Sequence, residues 1–108
     1  MAKYLVIESR DPFDSSDSRY FSELVQGICN RGNETILLLV QNCVLPTRKG
    51  SKHSETISKL IQGKVQVLAD GFSLRERGIH NPVDGVGVAG MERLVELLLE
   101  PGTKSLWH

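Results

Sequence analysis

Polar and reactive side chains follow three apolar stretches of the chain, at the point where each stretch ends. The stretches cover residues 4–7, 36–40 and 65–69, and each is typical of a strand that is buried on both faces of a parallel sheet. The side chains that follow them are those of Ser9, Arg10, Asn42, Cys43 and Asp70. The carboxyl ends of neighbouring parallel strands share one sheet edge, where ligands bind in open α/β folds. We therefore expect these five residues to form one site.

Cys43 has the most distinctive chemistry of the five. A thiolate is a strong nucleophile that can carry sulfur as a persulfide, and it needs partial exposure and nearby positive charge. The polar connection predicted over residues 44–54 offers that charge from Arg48, Lys49 and His53. The alternative interpretation is a free cysteine that packs as a small apolar side chain at the end of a strand.

Asp70 and Arg77 each have a structural interpretation beside a functional one. Asp70 could be a general base or a ligand contact, but an aspartate in this position is also a common N-cap of the turn that follows. Arg77, together with Arg75, could hold an anion or could be a solvated side chain of a short helix predicted over residues 74–77. We keep Asp70 and Arg77 as candidate substrate-binding residues, with Ser9, Arg10, Asn42, Arg48, Lys49 and His53.

Residues 85–90, with the sequence Gly-Val-Gly-Val-Ala-Gly, match the spacing of a dinucleotide-binding fingerprint. That fingerprint should follow the first strand of a domain, and an acidic residue should end the next strand ~20 residues later. Here the match falls near the end of the chain, so we expect these glycines to allow close packing before the last helix. The histidines and cysteines show no ligand spacing, so neither a metal nor a cofactor is predicted.

Length and composition predict one cytoplasmic domain over residues 1–108. The chain is 40% hydrophobic and has 13 basic and 13 acidic residues, which gives zero net charge. That balance argues against nucleic acid and against an anionic membrane surface as partners. Two cysteines without a CxxC pair fit a reducing compartment, and no apolar window reaches the length of a membrane span.

Strands and helices are predicted to alternate along the chain. Turn-forming residues 11–18 precede a helix that Gly32 ends, a second helix runs from 54 or 55 to Gly63, and a third covers 91–100 before Pro101. A short fourth strand is expected at Val86 or Val88, and a last strand at 104–107. This order predicts an α/β three-layer sandwich, in which a mostly parallel sheet of about five strands has helices on both faces.

Several segments resemble the DsrE/DsrF/DsrH (Tus-type) sulfur-relay family of small α/β proteins, over nearly the whole chain. Residues 9–13, Ser-Arg-Asp-Pro-Phe, are similar to the Ser-Pro-Phe-type segment of the DsrH branch. Residues 38–44, Leu-Leu-Val-Gln-Asn-Cys-Val, resemble the strand end LLxxDGV of the family. Residues 65–79 resemble its third strand and the Ala-Arg-Gly segment after it, and Leu106-Trp107 resembles the ending of the DsrH branch.

The resemblance implies a homo-oligomer, or a hetero-oligomer with related subunits, that relays persulfide sulfur between a donor and an acceptor protein. In the sulfur-carrying DsrE branch a cysteine precedes the Arg-Gly pair, but counting back eight residues from Gly78 leads here to Asp70. Either Cys43 is then the sulfur acceptor of a sulfurtransferase-like carrier, or the chain is a non-catalytic subunit of such a complex. The alternative function is a small-molecule or nucleotide-binding domain without covalent chemistry, which would use Ser9, Arg10 and the glycines at 85–90.

Overall fold

The computed structural model describes residues 2–10 and 17–107, which form five strands, four α-helices and one 3-10 helix. In chain order these are β1 Lys3–Glu8, α1 Asp17–Asn30, β2 Glu34–Leu39, the 3-10 helix Gln41–Thr47, α2 Ser54–Gln62, β3 Gln66–Asp70, α3 Gly71–Glu76, β4 Gly87–Ala89, α4 Met91–Leu99 and β5 Thr103–Trp107. The predicted alternation of strands and helices is confirmed. Of the turn predicted over residues 11–18, residues 11–16 lie outside the described ranges.

The five strands form one parallel sheet in the spatial order β4-β3-β2-β1-β5. The predicted α/β sandwich is confirmed, and its sheet is parallel throughout the described strands. Glu8 pairs with Leu39, and Leu39 pairs with Ala69, so β1, β2 and β3 end at the same level. We call this end of the sheet the carboxyl edge.

Alternate residues of each strand point to opposite faces of the sheet, and each face has its own apolar layer. On the first face, Val6, Leu37 and Val67 belong to one buried layer with residues of α1, α2, α3 and the 3-10 helix. On the second face, strand residues such as Ile36 share a layer with Leu97 of α4. In the described ranges, α4 is therefore the one helix that contributes to the second layer.

The helix ends follow from local chemistry. Gly32 follows α1 with a φ of 88°, a left-handed conformation that glycine adopts without steric cost. The N–H of Gly63 donates to the carbonyl of Lys59 at 2.9 Å and closes α2, as predicted. α4 ends at Leu99, two residues before Pro101, whose ring nitrogen has no hydrogen to continue the helical bonds.

The connection after β2 differs from the polar loop predicted over residues 44–54. Residues 41–47 form the 3-10 helix instead, and Cys43, Val44, Pro46 and Thr47 are buried in it. The reason is that residues 44–46 are consecutive apolar residues, and their burial in the first apolar layer lowers the free energy of the folded state. The hydroxyl of Thr47 donates to the Val44 carbonyl at 2.6 Å, so its burial leaves no unmatched polar group there.

The longest helix of residues 2–10 and 17–107 is α1, with 14 residues. A membrane-spanning helix needs about 20 apolar residues. Within these ranges, no helix has the length and the apolar character that crossing a membrane requires.

Candidate functional site

A chain of hydrogen bonds connects β3, α3 and the 3-10 helix at the carboxyl edge. Asp70 is the N-cap of α3, since its Oδ2 accepts the backbone N–H of Ser73 at 3.2 Å and the hydroxyl of Ser73 at 2.6 Å. The same hydroxyl oxygen accepts the backbone N–H of Gln41 at 2.9 Å. The capping interpretation of Asp70 therefore describes its contacts in this structure.

Arg77 extends this network from the far end of α3. Its Nε and Nη2 donate to the Oδ1 of Asn42 at 3.2 and 2.9 Å, and its Nη1 donates to the Ser73 carbonyl at 3.2 Å. The structure thus brings together three of the predicted site residues, Asn42, Asp70 and Arg77. An anion that binds Arg77 would compete with these protein acceptors for the guanidinium donors.

Ser73 and Gln41 are the members of this network that sequence reasoning missed. Ser73 is 3% exposed, and its role depends on contacts between segments that are far apart in the chain. Gln41 has a φ of 51°, a left-handed conformation that is uncommon for a residue other than glycine. No pattern in the sequence marks Gln41 for that conformation, although a serine three residues after Asp70 was a visible sign of a cap.

Cys43 follows Asn42 of this network in the sequence and is a buried residue of the 3-10 helix. Its side chain is 4% exposed and belongs to the same apolar layer as Leu74 and Ile79. The burial agrees with the interpretation of Cys43 as a packed side chain. A role as sulfur acceptor stays a prediction, and it requires the 3-10 helix to move before a donor can reach the thiol.

The three cationic candidates of the 48–53 segment differ from one another in exposure and in contacts. Lys49 is exposed, and its Nζ lies 3.4 Å from the Oδ1 of Asp84. Arg48 is exposed and forms an antiparallel bridge with Pro82. His53 is half-buried and stands at the N-cap position of α2 without a capping hydrogen bond from its side chain.

Ser9 and Arg10 lie beyond the end of β1, beside β2, as predicted. The backbone N–H of Arg10 donates to the Oε1 of Glu8 at 3.1 Å, and the Arg10 side chain is exposed. Glu8 is 3% exposed and is a further edge residue that the sequence analysis did not single out. Because β2 lies between β1 and β3, Ser9 and Asp70 are separated by about 10 Å of sheet.

Two of the three glycines of residues 85–90, Gly85 and Gly87, allow close packing as expected, whereas nothing lies within 4 Å of a Cβ on Gly90. A Cβ on Gly87 would lie 2.8 Å from the Cδ2 of Leu68, and one on Gly85 would lie 3.0 Å from the Cγ2 of Ile61. Three strand spacings, about 14 Å, separate β4 from β1, so the structure does not bring these glycines together with Ser9 and Arg10.

An open pocket of about 470 Å³ lies between α2 and the loop before β4. Its size is within the range of small-molecule sites, ~300–1,000 Å³. Its lining consists of Lys49, Gly50, Ser58, Ile61, Gln62, Val83 and Asp84. Of the predicted site residues, Lys49 takes part in this pocket, which is separate from the network around Ser73. Among residues 2–10 and 17–107, no three His, Cys, Asp or Glu side chains are grouped closely enough to hold a metal ion.

One side of α4 presents large apolar side chains to the solvent. Met91, Val95, Leu98 and Leu99 are exposed by 72, 46, 44 and 75%. At 100° per residue they lie on one side of the helix, and we call them the apolar flank of α4. Trp107 of β5 is also exposed, by 68%, so it contributes to a surface and not to the core. Exposed apolar groups in such a cluster are typical of a surface that binds another molecule.

No family model matches the chain, and no curated protein matches it. Two solved structures are similar to it over the full length of both chains. The YchN protein of E. coli has a TM-score of 0.88 and 19% sequence identity. A protein of unknown function from Methanobacterium thermoautotrophicum, MTH1491, has a TM-score of 0.86 and 19% identity. At this identity the likeness shows the fold alone, and the chain therefore has the same fold as these two proteins.

Proposed function

We propose that this chain is a non-catalytic subunit of a cytoplasmic sulfur-relay complex, which assembles with copies of itself or with related subunits through the apolar flank of α4. The observation that carries the proposal is this flank, Met91, Val95, Leu98 and Leu99, on the helix that covers the second face of the sheet. The family resemblance supplies the sulfur-relay context and the expectation of an oligomer.

The state of the thiols favours a subunit over a sulfur carrier. Asp70 occupies the strand end where the resemblance places a persulfide cysteine, and it caps α3. Cys43 is 4% exposed, and the Sγ of Cys29 is half-buried and donates to the Gly63 carbonyl at 3.5 Å. A relay thiol needs access to its donor, which burial denies to Cys43 in this conformation, and the Cys29 thiol is already bound to a backbone carbonyl.

The other side of α4 differs in chemistry from the apolar flank. It carries Arg93 and Glu96, and the Nη1 of Arg93 lies 3.3 Å from the Oε2 of Glu96. Burying one large apolar side chain contributes roughly 1.5–3 kcal/mol, so four such side chains supply much of an interface. Zero net charge also means little electrostatic repulsion between copies.

Sedimentation velocity over a range of protein concentrations tests the assembly. We expect the wild-type chain to form an oligomer, the double variant Val95→Gln/Leu98→Gln to dissociate, and Cys43→Ser to assemble as the wild type does. The matched control is Arg93→Gln/Glu96→Gln, which places the same side chains on the polar side and should leave the oligomer intact. A wild-type chain that stays monomeric at every concentration would contradict the assembly of copies through this flank.

Intact-protein mass spectrometry after exposure to a persulfide donor tests the proposal that the chain does not itself carry sulfur. We expect no reversible gain of sulfur on the native chain. A reductant-labile gain that disappears in Cys43→Ser, and persists in Cys29→Ser, would reverse this conclusion and make the chain a carrier.

The pocket beside α2 favours a second candidate function, the binding of a small molecule without covalent chemistry. Its lining offers a cation at Lys49, a carboxylate at Asp84 and the apolar side chains of Ile61 and Val83. A ligand that binds the native state raises the melting temperature by mass action. We expect a rise with one member of a panel of nucleotides, and its loss in Lys49→Gln; unchanged melting with the whole panel would rule out nucleotide binding there.

A further inference from the structure

We propose that the hydrogen bonds joining Asp70, Ser73 and Gln41 form a latch, which holds the 3-10 helix against α3 and so keeps Cys43, a residue of that 3-10 helix, buried. When the latch opens, the 3-10 helix moves and the thiol becomes accessible while the sheet stays folded. This inference goes beyond the proposed function, because the latch belongs to one chain and operates whether or not that chain assembles.

The contacts of the two residues before Cys43 carry the inference. The N–H of Gln41 is bound to the hydroxyl of Ser73, and the side-chain oxygen of Asn42 is bound to Arg77. Ser73 lies in α3 and Arg77 is the residue that caps its C-terminus, so the start of the 3-10 helix is bound to α3 and its cap at two consecutive positions. The bond from the Cys43 N–H to the Val40 carbonyl, 3.1 Å, is local and can persist while the segment moves.

The hydroxyl of Ser73 is the centre of the latch. It donates to Asp70 at 2.6 Å, and this leaves an oxygen lone pair to accept the Gln41 N–H at 2.9 Å. Because Ser73 is 3% exposed, water does not readily replace its hydroxyl. Asp70 therefore acts on the 3-10 helix indirectly, by orienting the hydroxyl that holds Gln41.

The backbone of Gln41 favours opening. Its φ of 51° is in the left-handed region, where a side chain crowds the backbone, and relaxation of that residue would release strain. The bond to Ser73, together with the burial of Cys43, Val44, Pro46 and Thr47, thus maintains the closed conformation against this local preference. A latch with one strained member and one central bond is suited to opening by local motion.

Alkylation of Cys43 by iodoacetamide, followed by intact-protein mass spectrometry in a Cys29→Ser background, tests the latch. We expect slow labelling of the native chain and labelling about five- to tenfold faster in Ser73→Ala, the factor that loss of one hydrogen bond produces. The matched control is Arg75→Gln, an exposed residue of the same helix, which should label at the parent rate. If Ser73→Ala does not fold, Arg77→Gln, which removes the exposed bond to Asn42, should accelerate labelling about two- to threefold.

Labelling at increasing urea concentrations separates local opening from unfolding of the whole domain. A latch predicts a rate that hardly changes at low urea, because little surface is exposed when it opens. The proposal is overturned by a Ser73→Ala rate equal to that of the parent, by a parent rate equal to that of the unfolded chain, or by acceleration that follows global unfolding. Sedimentation of the same samples shows whether assembly has changed, so a failure of the latch and a failure of the subunit proposal are distinguishable.

Discussion

The guanidinium of Arg77 donates twice to the side-chain oxygen of Asn42, across 35 residues of sequence, from Nε at 3.2 Å and from Nη2 at 2.9 Å. A lysine could not make this forked contact, because its ammonium is a single point of donation. We expect Arg77→Lys to lower the free energy of unfolding by about 0.5–1 kcal/mol in urea titrations, since the pair is exposed. Arg75→Lys on the same helix is the control, and equal losses in the two variants would show that the fork adds nothing.

The capping role of Asp70 predicts a specific rank order of stability. Asp70→Ala should lower the free energy of unfolding by about 1 kcal/mol, and at most ~2 kcal/mol, because the Ser73 N–H and hydroxyl lose their acceptor. Asp70→Asn retains a capping oxygen and should lose less. The control is Asp84→Ala, whose side chain is 98% exposed, with an expected loss below about 0.5 kcal/mol. Urea denaturation checks the order, and an Asp70→Ala value no larger than that of Asp84→Ala would contradict it.

Gly87 and Gly27 are two glycines whose surroundings differ, so alanine substitutions at the two positions test the packing around β4. An added Cβ on Gly87 would meet the buried Leu68 at 2.8 Å, whereas nothing lies within 4 Å of one on Gly27 in α1. We expect Gly87→Ala to destabilise the chain by about 1–3 kcal/mol through overpacking. Gly27→Ala should stabilise it by about 0.5–1 kcal/mol, because alanine is the better helix former. Thermal or urea unfolding measures both changes, and a melting temperature that rises in both variants would mean that β4 moves freely away from Leu68.

Lys3 fastens the beginning of β1 to the residue after α4. Its Nζ donates to both carboxylate oxygens of Glu100 at 2.7 Å and lies 3.8 Å from Glu34. Lys3→Met should lower the free energy of unfolding by about 0.5–1 kcal/mol at low salt, and by less in 1 M NaCl, where screening weakens the ion pair.

The control for Lys3 is Arg93→Met, because Arg93 and Glu96 form a more exposed pair within one helix. It should cost less than about 0.5 kcal/mol. Denaturation at two salt concentrations gives the comparison, and a Lys3→Met effect that is independent of salt would assign the loss to packing of the lysine stem.

The fold was predictable because its signals are local. Residues 4–7, 36–40 and 65–69 are continuous apolar runs, and parallel strands buried on both faces need such runs. Gly63 and Pro101 marked the ends of α2 and α4, because glycine is a poor helix former that is common at helix C-termini and proline cannot continue the helical hydrogen bonds. β4 was harder to place, since three residues carry little periodicity.

The site was predictable only in part, because its contacts join distant segments. The common strand edge placed Asn42 and Asp70 near each other, but the sequence did not show that Ser73 would join them. The prediction of a polar loop over residues 44–54 was wrong at its start, because the charged residues of the loop begin only at Arg48. Residues 44–46 are apolar, and their burial brings Cys43 into the core. Burial of one thiol depends on the path of a whole loop, and composition does not encode that path.

The pairing of β1 with β5 joins residues that are far apart in sequence, since Lys3 is registered with Thr103 and Ile7 with Trp107. During synthesis β1, β2 and β3 are made in the order in which they stand in the sheet, but one side of β1 has no partner until β5 has been made. Until β5 has been made, the nascent chain therefore exposes on that side the backbone donors and acceptors of a strand whose last four residues are buried in the folded protein. An unpaired strand edge can pair with other strands, so this side of β1 is open to incorrect pairing until β5 covers it.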